Sequence, residues 1–412
     1  MTAICTHLDR QLARATCLTG HLKQQYQQTV GLSNALAGLD FLARGVSHVW
    51  RNRRYFTIVK LLNMAAVNIQ FAFKTERVIG RPYLMKIEST NICNTKCQLC
   101  PTGQGLQARP KGKMQFDQFQ ALIRRFKRHL LALDLSMWGD PLIVPDIFKM
   151  IRHAHDNGIW TYISSNLHAY KLHTKPGQKS QAELLVESGL DLMTCSLHGA
   201  SQQTYEMYQP GKDFDEAIAK IRQIIETRDR MGSKTPFVQL NFVVMRQNEH
   251  ERQAFDNLAA DLGCKAVFSR PSMNTRFQGK DQNMVSLGLS DELLKSKTRK
   301  HLEKWLPQDP EYRLASYDQM LQDDYRDEDY NGRKTYFCDW LWRQAVVNWD
   351  GNVSTCCGSF EPSEDMGNVL TQKFSSIWNG RKYRLARRSF KKKLSPDEAR
   401  GNSCATCPGF MV

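Results

Sequence analysis

The sequence predicts an α/β fold built from repeated β-α units, on three observations. Strand-like runs alternate with amphipathic helical segments from Tyr83 to about Ser272, three cysteines follow the first of those runs directly, and five more gather towards the C-terminus. Alternation of this kind implies a parallel sheet with crossover helices. The chain has 412 residues, of which 41% are hydrophobic and 24% charged, so it holds enough apolar material for a sizeable core and wholesale disorder is not expected.

In chain order, residues 1–80 read as a helical extension. Between Trp50 and Lys74 a basic start (Arg51, Arg53, Arg54, Lys60) meets apolar positions Ile58, Leu61, Leu62, Ala65 and Ile69 at close to helical spacing. Such a helix either lies on a membrane or packs on the following domain, and packing is the expectation. Residues 81–275 hold the strand-like runs Tyr83 to Ser89, Leu133 to Met137, Trp160 to Ser164, Leu192 to Ser196, Phe237 to Met245 and Ala266 to Arg270, with amphipathic segments such as Asp117 to Leu131 and Phe214 to Thr227. Residues 276–334 are a polar insert, read as a connector or lid. It includes a helix from Ser290 to Trp305 and ends in the acids Asp323, Asp324, Asp327, Glu328 and Asp329. Residues 335–412 form a small cysteine-rich domain, in which Asp350-Gly351 turns a hairpin between Val346 and Thr355.

Twelve cysteines without a recognisable signal peptide point to a reducing compartment, where clustered thiols serve as metal ligands. The expected localisation is cytoplasmic, with peripheral membrane contact as the alternative. No apolar stretch reaches the ~18 residues of a spanning helix. The formal net charge of +16 implies attraction to polyanions such as phosphorylated substrates, nucleic acid or an anionic membrane. The densest basic run, Arg381 to Lys393, reads as the solvated face of a helix; no aromatic stacking platform accompanies it, and nucleic acid is not expected as a partner.

Cys93-Asn94-Thr95-Lys96-Cys97-Gln98-Leu99-Cys100 has the spacing C-x-x-x-C-x-x-C. Three thiolates on a cubic [4Fe–4S] cluster leave one iron open, whereas a closed zinc site wants four ligands. A zinc site or three buried thiols is the rival reading. The spacing resembles the signature of the radical S-adenosylmethionine (radical SAM) family. That resemblance implies a partial, TIM-like (β/α)6 barrel with its chemistry at the C-terminal strand ends. It also implies SAM chelated to the open iron and cleaved to a 5′-deoxyadenosyl radical.

The resemblance extends to later strand ends. Met137-Trp138-Gly139-Asp140-Pro141 is similar to the family's glycine-and-acid motif, so Trp138, Gly139 and Asp140 are expected at the SAM amino group, with glycine allowing a close backbone approach. Ser164, Ser165 and Asn166 stand where small polar side chains hold the ribose. Ser196 opens a run similar to the family's Ser-x-Asp-Gly, with His198 in the acid's place and Gln209 where an arginine often meets the SAM carboxylate. Leu99 replaces an aromatic whose backbone touches adenine. Cys195 and His198 are the candidates for facing substrate, although core packing is the default for Cys195 and for Cys264.

Cys338, Gly351, Cys356, Cys404 and Cys407, with Asn368-Val369 and Ile377-Trp378-Asn379, resemble the SPASM/twitch extension. This implies one auxiliary [4Fe–4S] cluster on Cys338, Cys356, Cys404 and Cys407, a zinc knuckle being the rival. Cys357 is expected to point away, because neighbouring side chains on an extended segment face opposite sides. The activity implied is hydrogen abstraction by the adenosyl radical, served by a reductant such as flavodoxin or ferredoxin, with oxidation of a small sugar- or cyclitol-like metabolite as the leading reading. A lipid or lipid-linked substrate, with radical modification or carbon–carbon bond formation, and a peptide-modifying maturase are alternatives. A non-enzymatic iron–sulfur sensor or electron carrier is another.

Overall fold

The computed structural model describes residues 54–272, 299–313, 318, 321, 338–359, 361–392, 394–405 and 407. Two compact units divide the chain, Met1–Leu62 and Asn63–Val412, and the whole sheet belongs to the second. Cys5 and Cys17 and the acidic run of the insert lie outside the described residues.

A helix, α1 (Ile58–Ala72), precedes β1 (Leu84–Ile87). Then follow α2 (Phe116–Phe126), β2 (Ala132–Asp134), α3 (Ile147–Asp156), β3 (Trp160–Ser165), α4 (Gln181–Glu187), β4 (Leu192–Ser196), α5 (Gln202–Tyr208), α6 (Phe214–Arg230), β5 (Phe237–Val243), α7 (Arg252–Asp261) and β6 (Lys265–Ser269). Each of the six strands is parallel to the next, which is the sheet of the expected six-unit barrel. Local chemistry sets the helix starts: Ser180 accepts the Glu183 N–H ahead of α4, and Asp213 accepts the Glu216 N–H ahead of α6.

Side chains alternate across a strand, and the two faces of this sheet differ. Met85, Ile87, Leu133, Ile163, Met193 and Leu240 form one fully buried apolar face. The other, concave, face carries Lys86, Asp134, Tyr162, Thr194 and Gln239. Lys86 Nζ donates to the Asp134 carboxylate and, at 3.0 Å, to Ser136 O, so this buried ion pair is internally satisfied.

The C-terminal region adds two strands to the same sheet. After α8 (Trp340–Arg343), β7 (Gln344–Val347) pairs in parallel with β1, Leu84 opposite Gln344 and Ile87 opposite Val347. β8 (Val353–Ser354) closes the hairpin antiparallel to β7, giving the sheet order β6-β5-β4-β3-β2-β1-β7-β8. Residues 335–412 are therefore partly a continuation of the barrel sheet. The turn forms where expected, with Gly351 at φ +84°. Three short helices follow: α9 (Phe374–Trp378), α10 (Arg381–Arg388) and α11 (Pro396–Ala399).

Two helical expectations are corrected. Within α1 the packed face carries Val67 and Phe71, whose ring meets Trp342 edge-on at 5.4 Å, while Ile69, expected to pack, is exposed. In α10, expected to be a solvated basic face, Arg387 is fully buried. Its guanidinium lies 4.5 Å from the Trp378 ring centroid and donates to Leu341 O and Trp378 O at 2.9 and 2.7 Å, and burial lowers its pKa to about 10. Of the insert helix, residues 299–305 are described and helical. Leu302, Trp305 and Leu306 pack with Leu99, Tyr208 and Met245, so the insert covers the cysteine loop from one side.

Candidate active site

The loop after β1 carries Cys93, Cys97 and Cys100, all half-buried, and the structure gathers them. Thr95 Oγ1 lies 3.1 Å from Cys93 Sγ and 3.4 Å from Cys97 Sγ. Asn166, just past β3, reaches into the same loop, its Nδ2 donating to Asn94 Oδ1 at 3.1 Å and lying 3.5 Å from Cys93 Sγ. Burial, then the nearby Cys100, pushes the Cys97 thiol up to about 12, and burial raises Cys100 as well. Thiols assembled this way lack the positive charge that would stabilise their thiolates, and an iron–sulfur cluster supplies it.

The loop is pinned from two sides. Gly139 N and Asp140 N, at the end of β2, donate to Thr90 O and Ile92 O at 3.1 and 3.0 Å. A Cβ on Gly139 would stand 2.4 Å from Thr90 O and 2.5 Å from Ile92 O, so glycine is required here by the cysteine loop itself. From the other side, Thr90 Oγ1 donates to Gly112 O at 2.7 Å and Asn91 Nδ2 to Pro110 O at 2.8 Å. Residues 109–110 are in turn gripped by the C-terminal region: Arg109 makes a bidentate pair with Asp365, and Trp349 Nε1 donates to Pro110 O at 3.1 Å.

The second thiol group lies where β8 ends. Thr355 and Ser403 share a hydroxyl contact of 3.1 Å, which brings Cys356 and Cys404 into one neighbourhood. The Cys356 thiol is raised well above its ordinary value by burial and by the thiols of Cys357, Cys404, Cys407 and Cys338; Cys338 is raised by burial and by Cys404. Four half-buried thiols fit the ligand set of a fully coordinated cluster. Among the described residues, no three His, Cys, Asp or Glu converge as the ligands of one metal ion would; on a cubic cluster each thiolate binds its own iron.

The family profile of the radical SAM superfamily matches residues 87–259, and that of the SPASM iron–sulfur cluster-binding domain matches residues 338–408. The chain carries a radical SAM domain followed by a SPASM domain. AdoMet-dependent heme synthase of Methanosarcina barkeri is 26% identical to this radical SAM chain over 187 residues, covering 45% of this chain and 49% of that protein. Probable GTP 3′,8-cyclase of Saccharolobus solfataricus is 27% identical over 190 residues, 46% of this chain and 56% of that one. The chain thus spans about half the length of the curated relatives it matches. Among solved structures, Streptococcus suis SuiB bound to precursor peptide SuiA has a TM-score of 0.52 at 14% identity, over 85% of this chain and 75% of that chain, which shows a shared fold. A radical SAM chain with a SPASM domain implies SAM and two iron–sulfur clusters as cofactors.

Several side chains expected to touch SAM are engaged elsewhere. Asp140 is buried; its carboxylate accepts from Ser165 Oγ (2.9 Å), Asn166 N (2.8 Å) and Leu142 N (2.9 Å). It ties the end of β2 to the end of β3. Ser165 and Asn166 are its partners, and Asn166 passes the constraint to the cysteine loop, so all three position the site from behind. Gln209 is buried too, with Nε2 3.4 Å from Ser196 O and Oε1 3.4 Å from His168 Nε2. Leu99 is packed in the apolar cluster under the insert. Trp138, Gly139, Ser164 and Ser196 remain half-buried at the strand ends.

The two candidates for facing substrate, Cys195 and His198, are both buried. Cys195 lies on the apolar face, away from Thr194 and Ser196, and is fully buried, which raises its thiol pKa well above the ordinary value. His198 sits at φ +56°. Its Nδ1 accepts the Val243 N–H at 3.1 Å, its carbonyl accepts from Asn248 Nδ2 at 2.9 Å, and burial lowers its ring to about 4. It is a neutral strut between the ends of β4 and β5.

Sequence reasoning missed Asn241 and Ser269. Ser269 Oγ donates to Asn241 Oδ1 at 2.6 Å, Asn241 lies opposite Ser196 in register, and Ser196 Oγ is 3.3 Å from Ser164 Oγ. The four half-buried side chains form an uncharged polar ladder across β3 to β6. Its signal was present as polar residues two apart in apolar strands, Thr194 and Ser196, then Gln239 and Asn241.

Proposed function

We propose that this radical SAM protein oxidises a small, uncharged, polyhydroxylated metabolite of sugar or cyclitol type. The ladder Ser164, Ser196, Asn241 and Ser269 carries the reading. Hydroxyl and amide groups both donate and accept, as the hydroxyls of a polyol do, and they stand at the strand ends where barrel chemistry gathers. A charged substrate would call for a counter-ion there; among the described residues of this face Lys86 and Asp134 satisfy each other internally, and Lys265 stands at the opposite, N-terminal end of β6.

Cys93, Cys97 and Cys100 would hold the SAM-binding cluster, and Cys338, Cys356, Cys404 and Cys407 the auxiliary one. When bound, these groups and SAM supply a radical that removes a carbon-bound hydrogen atom and an acceptor for one electron. The chain's own part is to orient and shield. Ser164 and Ser196 hold substrate hydroxyls, Asn241 fixes their direction, and Leu302, Trp305 and Leu306 keep water from the side of Leu99. Oxidation of a secondary alcohol also releases the hydroxyl proton, for which the Ser164–Ser196 pair offers a hydrogen-bonded exit. The reading requires an external one-electron reductant such as flavodoxin or ferredoxin.

The test uses anaerobically reconstituted protein, SAM, a reductant and carbon-deuterated sugars or cyclitols. Deuterium should appear in 5′-deoxyadenosine together with a ketone product, and Asn241→Leu should raise KM by about tenfold through the loss of a buried hydrogen bond. SAM cleavage with no deuterium transfer from any such compound, or a product at the substrate's oxidation level, would sink the proposal.

A further inference from the structure

The basic run in and after α10 and the segment that follows α1 are far apart in the sequence, and the structure joins them. Arg388 donates to Glu76 Oε2 through Nε at 2.9 Å and Nη2 at 2.8 Å. Arg387 Nη1 donates to Glu76 O at 3.1 Å. Asn379 clasps the next turn of chain, accepting from Val78 N at 2.9 Å and donating to Val78 O at 2.8 Å. The hydrogen bond from Arg388 holds the Glu76 carboxyl below its usual range, and the charges of Lys391 and Lys392 add to the effect, so both lysines stand near this segment.

On this fixed segment three large apolar side chains face solvent: Ile69 at 59%, Phe73 at 70% and Ile79 at 88% exposure. The opposite side of the same helix buries Val67 and Phe71, so the outward apolar set is not left over from an unpacked element. Single exposed apolar residues need no explanation, but a group of them beside exposed Arg77, Lys391 and Lys392 does.

We propose that this patch, with an apolar centre of Ile69, Phe73 and Ile79 and a basic border of Arg77, Lys391 and Lys392, docks the protein on an anionic lipid bilayer. Side chains of this bulk reach the boundary between headgroups and acyl chains, while the cations meet anionic headgroups. The formal net charge of +16 favours the same approach at long range. Complementary charge selects a lipid surface over a second copy of this equally basic chain.

The test is flotation of the full chain with vesicles of phosphatidylglycerol and phosphatidylcholine, against phosphatidylcholine alone. The protein should float with the anionic vesicles at low salt and be released as salt rises, since screening acts over ~10 Å at 0.1 M. Phe73→Asp with Ile79→Asp, and separately Lys391→Glu with Lys392→Glu, should each lower the floated fraction by about tenfold or more without changing cluster content. Phe73→Trp should be quenched by brominated lipid, which tests insertion without disturbing the fold. No flotation at low salt, equal flotation with neutral vesicles, flotation unaffected by either pair, or an unquenched Phe73→Trp would each overturn the proposal. So would a dimer dispersed by Phe73→Asp with Ile79→Asp, which would make a second copy the occupant.

Discussion

Cys357 lies within the field of Lys86, whereas Cys404, Cys407 and Cys338 act on its neighbour Cys356. Burial raises the Cys357 thiol and the Lys86 ammonium pulls it back. Cys356→Ala should therefore cost the auxiliary cluster while SAM cleavage survives, and Cys357→Ala should leave both clusters in place. Iron counting with Mössbauer or EPR spectra distinguishes these outcomes; the reverse pattern would make Cys357 the ligand.

Replacing Cys93, Cys97 and Cys100 together by Ala should remove one of two [4Fe–4S] clusters and abolish formation of 5′-deoxyadenosine. Iron analysis of the anaerobic protein checks the count. One cluster in the unaltered chain, or zinc bound by the C-terminal thiols, would contradict it.

Arg109 links the post-cysteine segment to Asp365, and its side chain is only 6% exposed. Arg109→Met strands a buried carboxylate and should destabilise the protein by about 3 kcal/mol. Because Pro110 and Gly112 hold Asn91 and Thr90, the EPR signal of the SAM-binding cluster should broaden as well. Asp365→Asn, which keeps one acceptor, should give a smaller loss of melting temperature and a normal signal. Equal effects of the two substitutions would argue against transmission through this contact.

Two buried groups give opposite pH dependences. Burial lowers His198 from 6.5 to about 4, so the unfolded chain takes up that proton first as pH falls. Stability from this site is intact above 6.5 and is lost between 6.5 and about 4, up to about 3 kcal/mol. Burial raises Glu88 from 4.5 to about 7, so the unfolded chain releases its proton first as pH rises. Its cost grows between 4.5 and about 7, again up to about 3 kcal/mol. Denaturant midpoints across this range should flatten on the acid side in His198→Asn and on the alkaline side in Glu88→Gln; unchanged slopes would show that neither group titrates as described.

The cysteine triad and the six parallel strands were legible because their signals are local: a spacing of three and four residues, and runs of apolar residues between amphipathic segments. Asp140, Ser165 and Asn166 lie at the expected strand ends and Gln209 at the end of α5, yet their side chains turn into the protein. Direction is lost to sequence once the chain leaves the regular pleat, as it does after Asp134 and Ser165. Asn241 was readable in principle from the two-residue period it shares with Gln239. The pairing of β7 with β1 was not, since nothing near Gln344 or Leu84 names a partner on the far side of the core.

That pairing bears on how the chain is made. β1 is among the first parts of the core to leave a ribosome, and its outer edge has no neighbour until Gln344 to Val347 have been synthesised, after nearly all of the remaining strands. Until then it presents open backbone groups that another chain can join. Long-range closure of this kind is slow, so a truncation before β7 should yield aggregated protein in place of a smaller soluble barrel.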